Sequence, residues 1–243
     1  MEGIVLKTQN YGETHKIITI LTKQQGKISA ICRGANKTKS RLNAVAQPFI
    51  KATFLIYVTK GLSTVQQGEI ENSFRYIRED IIKTAYAAYI MELTDKIIEA
   101  KHPDKLVYSQ LDQTLEWINA KTDYMIPVMM YELKLFQKGG FAPIVDRCVN
   151  CGRQELPYTF SVREGGLLCP HCTVMDSYAK NLPPSFPKLL TIFKEVALDR
   201  VGNISVKKEN QQLLRLLLDE YYDQYGGFNL KSKRFLAQID RLS

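Results

Sequence analysis

Residues 3–42 read GIVLKTQNYGETHKIITILTKQQGKISAICRGANKTKSRL. The stretch joins β-type alternation to a dense set of cations. Ile17, Ile18, Thr19, Ile20 and Leu21, then Ile28 and Ile31, are β-branched or apolar and suit a pleated, half-buried surface. Gln24-Gln25-Gly26-Lys27 between the two runs reads as a hairpin turn. Gly34-Ala35-Asn36 ends a strand, and Lys37, Lys39 and Arg41 follow on a loop.

Outward from this stretch the pattern continues. Strands are expected at 2–8, 15–23, 26–34, 49–59 and 62–70, with a turn at Asn10-Tyr11-Gly12-Glu13. Five short strands with little helix between them predict a small closed barrel. The OB-fold is the common five-stranded barrel that binds oligonucleotides, and periodicity alone does not separate it from an SH3-like barrel. Tyr11, expected in the turn, is a candidate for stacking on a base, whereas Phe49 and Phe54 are expected in the core.

Residues 1–78 hold twelve lysines and arginines against four acidic residues, a net +8. That equals the net charge of the whole 243-residue chain, so residues 79–243 sum to zero. A basic field confined to one domain beside a neutral one is the footprint of a polyanion binder. The competing explanation is a lysine-rich face that serves solubility alone.

Near Asn72 the period changes to that of a helix, with Asn72 or Ser73 as a possible cap. Ile82, Tyr86, Tyr89, Leu93 and Ile97 form an apolar stripe. Further helices are expected over 106–120, 126–138, 186–198, 210–225 and 232–239, with His102-Pro103-Asp104 and Gly139-Gly140 as boundaries. The expected organisation is α+β: a β-barrel domain over 1–78, then a helical domain over 79–243 with an insert at about 144–175.

That insert contains CVNCGRQELPYTFSVREGGLLCPHC, residues 148–172. Cys148 and Cys151 form one CxxC, Cys169 and Cys172 another, with 17 residues between the pairs. Two such turns supply four thiolates that close a tetrahedron around zinc, and a full thiolate shell is structural because it leaves no position for water. The spacer from Tyr158 to Val162 suits a small hairpin, and His171 is expected to point outward. Cys32 reads as a small buried apolar residue. With no run of eighteen apolar residues and no secretory pattern at Met1-Glu2-Gly3, a cytoplasmic protein is expected. No phosphate-binding GxxxxGK[ST] or nucleophile-bearing GxSxG occurs, and the three histidines are scattered, so the expectation is a protein without catalytic residues.

The opening stretch, together with QPF at 47–49, SFRYIREDIIKTAYAAYIMELTD at 73–95, GGFAPIVDRCVNCG at 139–152, GGLLCPHC at 165–172 and LKSKRFL at 230–236, resembles the RecO family of bacterial recombination mediators. The resemblance runs over nearly the whole chain. It implies an N-terminal OB-fold, a helical C-terminal domain and a four-cysteine zinc knuckle. It implies a non-enzymatic role in DNA repair and recombination within a RecF-type pathway: binding single- and double-stranded DNA, annealing complementary strands and, with RecR, loading RecA onto DNA coated by single-stranded-DNA-binding protein (SSB). A contact with the SSB C-terminal tail and a place at the bacterial nucleoid come with it. The family's groove cations are best matched by Lys16, Arg33, Lys37, Lys39 and Arg41. An RNA-binding or translation-linked OB protein with a zinc knuckle, a metal-dependent nuclease and a docking scaffold are the rival readings.

Overall fold

A computed structural model of the chain describes residues 1–200 and 205–239. Strands β1 (Glu2–Tyr11), β2 (His15–Thr22), β3 (Gly26–Cys32), β4 (Lys51–Tyr57) and β5 (Ser63–Asn72) close into a barrel. Their order around it is β1-β2-β3-β5-β4, and β4 returns to pair with β1. β3 and β5 run parallel, Ala30 beside Ser63, while the other pairs are antiparallel. This five-stranded Greek-key barrel is the OB-fold. Inward alternation puts Val5, Ile18, Ile20, Ile28, Phe54 and Val65 in its core. A short helix, α1 (Leu42–Val45), lies in the β3–β4 connection.

The β2–β3 turn is held from outside. Lys101 N–H donates to Lys27 O at 2.9 Å. Gly26 has φ +68°, and a Cβ there would lie 2.3 Å from His102 O. Gly26→Ala therefore combines left-handed strain with a backbone clash. It is expected to destabilise the protein by at least about 2 kcal/mol, read as a lowered midpoint in urea with unchanged m-value.

After the barrel come α2 (Arg75–Glu79), α3 (Ile81–Ile97), α4 (Lys105–Ala120), α5 (Met125–Lys138), α6 (Phe186–Glu195), α7 (Lys208–Tyr225) and α8 (Lys231–Ile239). Asp80 caps α3, accepting from Ile82 and Lys83 N–H at 2.8 and 3.1 Å. Asp104 caps α4 in the same way, at 3.0 and 2.9 Å. Asn72 is no helix cap: its Oδ1 accepts from Phe74 N–H at 2.8 Å. α6 stops at Glu195 rather than Leu198 because Val196 is extended.

Compactness divides the chain elsewhere than the change from strand to helix. Residues 1–122 form one unit with the chain from Leu230 on, and residues 123–229 form another. The first unit extends past the barrel because Ile4 and Leu21, outward by alternation, are fully buried, and α3 packs on β1. Ion pairs join the barrel to the helices: Lys27 with Asp95 at 3.3 Å and Lys51 with Asp112 at 2.7 Å. Glu92 on α3 accepts from the backbone N–H of Lys231 and Ser232 and from Ser232 Oγ, which seats α8.

In the second unit α5, α6 and α7 accompany the insert. Its strands β6 (Thr159–Ser161), β7 (Gly166–Leu168) and β8 (Lys180–Asn181) form a sheet in the order β7-β6-β8, with β6 and β7 as the expected hairpin. Phe136 and Phe160 both meet Tyr221, each with ring centroids 6.2 Å apart. Glu132, fully buried, receives two bonds from Arg215 at 2.6 and 2.8 Å. The paired geometry satisfies both carboxylate oxygens where water does not reach.

Candidate nucleic-acid interface and metal centre

The segment after β3 is stitched to the β1–β2 turn. Asn36 N–H donates to Thr14 O and Gly34 N–H to His15 Nδ1, both at 2.9 Å, and Asn36 Nδ2 reaches Asn10 Oδ1 at 3.3 Å. These bonds bring Arg33, Lys37, Lys39 and Arg41 to the end of the barrel where β1 finishes. Tyr11 is the last residue of β1, paired with His15, and not part of the turn as expected. Its ring is 53% exposed.

The four cations are exposed, and none has a carboxylate partner among the described residues. Elsewhere on the barrel Lys7 and Lys60 are likewise exposed without a carboxylate partner among the described residues, but three other cations are balanced. Lys23 lies 3.5 Å from Glu2, and Lys27 and Lys51 hold the helix carboxylates described above. Four of the exposed cations without a carboxylate partner among the described residues thus fall in the one segment 33–41, beside Tyr11. Exposed cations with an aromatic ring among them neutralise phosphates and stack on bases.

Lys16 stands apart from this group. It is 9% exposed, and its ammonium donates to Asn43 Oδ1 at 3.0 Å, bracing α1. Its parity explains the placement: Lys16 falls in step with inward Ile18 and Ile20, and it pairs with Cys32 across the sheet. Cys32 is fully buried, and burial pushes its thiol up to about 11 against the opposing pull of Lys16, so it is no nucleophile. Phe54 is in the core as expected, and Phe49 is half-buried with φ +68°.

Sulfur atoms of Cys148, Cys151, Cys169 and Cys172 all lie within 4.8 Å of one another, with Cys151 and Cys169 at 3.6 Å. Metal–thiolate bonds of about 2.3 Å in a tetrahedron space sulfurs about 3.8 Å apart, so the four residues fit one ion. Each CxxC is a tight turn. Gly152 N–H returns to Cys148 O and Cys172 N–H to Cys169 O, both at 2.9 Å. Val149 N–H bonds Leu167 O at 2.7 Å and ties the first turn to β7.

The electrostatics favour a cation. Burial works against ionisation of Cys148, but the N–H groups of Cys151, Cys169 and Asn150 outweigh it and hold that thiol down at about 6. Cys172 receives a bond from Asn150 Nδ2 at 3.3 Å, yet burial and the crowded neighbouring sulfurs push it up to about 11. Four thiolates so close cannot all ionise without a positive ion between them. His171 is turned away, 3.6 Å from exposed Glu155. Among the described residues this is the one group of three or more such side chains placed to hold a metal. No described helix is long and apolar enough to cross a membrane.

Residues 1–74 match the family model described as Recombination protein O N terminal, and residues 78–234 match Recombination protein O C terminal. The chain is 54% identical to the DNA repair protein RecO of Oceanobacillus iheyensis over 240 residues, covering 99% of this chain and 93% of that protein. It is 45% identical to the RecO protein of Bacillus pumilus and 43% identical to that of Bacillus subtilis. Each of these matches spans 241 residues, 99% of this chain and 94% of the relative.

Proposed function

The chain belongs to the recombination protein O (RecO) family, and on that premise we propose that it is a non-enzymatic mediator of DNA repair and recombination. It binds single- and double-stranded DNA and anneals complementary strands. With RecR it helps load RecA onto SSB-coated single strands in a RecF-type pathway, in the cytoplasm at the nucleoid, and it meets SSB through that protein's C-terminal tail. The observation that carries this reading is the group Arg33, Lys37, Lys39 and Arg41 beside Tyr11 at one end of an OB barrel, exposed and without carboxylate partners among the described residues where Lys23, Lys27 and Lys51 are balanced. Annealing needs two repelling strands brought together, and such a surface lowers their repulsion by releasing counterions.

Four phosphate contacts predict a slope of about −2.8 in log K against log salt on single strands. Between about 50 and 200 mM salt, affinity should fall roughly fiftyfold. Fluorescence anisotropy across that range measures it, and a slope near zero overturns the reading. Stacking and phosphate contacts do not by themselves distinguish DNA from RNA. Competition between equal-length RNA and single-stranded DNA therefore separates this function from that of an RNA-binding OB protein. The metal we assign to the four cysteines is a single structural Zn²⁺, because four soft thiolates select it and fill its shell.

A further inference from the structure

Net charge follows the compact units and not the change from strand to helix. Residues 1–122 hold seventeen lysines and arginines against twelve acidic residues, and the chain from Leu230 on holds four against one. Residues 123–229 hold twelve of each. The first unit thus carries the whole +8, and its returning C-terminal segment supplies three of those charges. Within that segment α8 has Lys231, Lys233 and Arg234 and no acidic residue from Lys231 to Ile239.

The helix sorts these residues by face. Ser232, Leu236 and Ile239 are buried, and the Glu92 seat fixes the first turn, so α8 docks without using its other side. Lys231, Arg234, Phe235 and Gln238 fall at i, i+3, i+4 and i+7 and make one outward stripe, with Phe235 39% exposed. Neutralising acids on the neighbouring helices does not account for the two outer cations. Of the carboxylates on α3 and α4, Glu92 accepts from the start of α8, Asp95 holds Lys27, Asp112 holds Lys51 and Glu116 accepts from Asn72. Lys231 and Arg234 have no carboxylate partner among the described residues. Position separates the stripe from the basic segment. Glu92 lies one turn of α3 before Asp95, which reaches Lys27 at the start of β3, beside the β2–β3 turn. The basic segment is stitched to the β1–β2 turn, at the other end of β2, and eight residues of strand span about 25 Å.

We infer that the stripe of Lys231, Arg234 and Phe235 on α8 holds a second single strand of nucleic acid, with phosphates on the cations and a base on the ring. The inference rests on the DNA-binding function proposed above and adds a separate site for another strand. Two strands held on one protein meet at the effective concentration of an intramolecular encounter, which is what pairing them requires. The outer face of a helix is convex and gives a peptide no groove for an apolar side chain, whereas a base stacks on any exposed ring. That favours a nucleic acid over an acidic peptide as the occupant.

The test counts oligomers bound per full-length chain at low salt, by calorimetric titration. The probe is a thymidine oligomer of about 5 nucleotides, near the lower end of one OB-fold's site, so that a single oligomer does not fill both sites. Wild type is expected to bind two, K231Q/R234Q only the one at the basic segment, and K37E/K39E/R41E only the one at α8. Phe235→Ala should weaken the second equivalent about tenfold. Annealing of long complementary strands should slow about tenfold in K231Q/R234Q, with its urea midpoint unchanged because both side chains are exposed. Two oligomers bound by K231Q/R234Q would place the second strand elsewhere and overturn the inference. A single oligomer on wild type, lost in K37E/K39E/R41E, would also overturn it while the DNA-binding function stands. No oligomer on wild type would sink both. A labelled octaglutamate peptide that binds wild type and not K231Q/R234Q, with a single oligomer on each, would make the stripe a peptide site instead.

Discussion

Reversing Lys37, Lys39 and Arg41 together to glutamate is expected to lower affinity for single-stranded DNA by a hundredfold or more at low salt. Three of the four phosphate contacts are lost, and three repelling charges replace them. The salt slope should shrink from about −2.8 toward −0.7, the contribution of Arg33 alone. Stability should hardly change, because the three side chains are exposed and have no carboxylate partner among the described residues. The informative control is Lys23→Gln. Lys23 is a barrel cation already opposed by Glu2 at 3.5 Å, so its loss should leave the slope almost where it was. Equal effects from the two variants would mean that DNA responds to net charge and not to the end beside Tyr11. Unchanged affinity in the triple variant would favour a docking scaffold whose charge serves solubility.

Removing the metal is the second large effect. Structural zinc contributes on the order of 10 kcal/mol or more to folding a small thiolate site. Here the strands beside the four cysteines are only three, three and two residues long. Cys148→Ser, or a strong chelator, should melt the region from Cys148 to Cys172 and open it to proteolysis. Wild-type protein should contain one zinc per chain by elemental analysis, and the variant should contain almost none. The barrel lies in the other compact unit, and single-strand binding should survive. An apo protein with an unchanged proteolytic pattern would show that the cysteines need no ion to hold their turns.

The barrel was legible because burying one face of each strand writes alternation into the sequence. Its strand order was not. Closure depends on Ile4 meeting Lys51 and Ala30 meeting Ser63, pairs that no local pattern connects. The compact boundary was hidden for the same reason, since Lys27 reaches Asp95 and Lys51 reaches Asp112 across 68 and 61 residues. The cysteine site was plain from spacing, because each CxxC is a self-contained turn. Lys16 shows a different failure. Its charge grouped it with the surface cations, while its parity with Ile18 and Ile20 had already turned it inward.

The seat that Glu92 makes for Lys231 and Ser232 has a temporal side. A ribosome delivers the barrel and its first helices early, but α8 emerges only after every residue of the second unit has been translated. Until then the nascent first unit keeps the apolar docking site for Leu236 and Ile239 open, at a stage when domains generally fold as they appear. Completion of the first unit is therefore postponed until the cysteine-bearing part has left the exit tunnel.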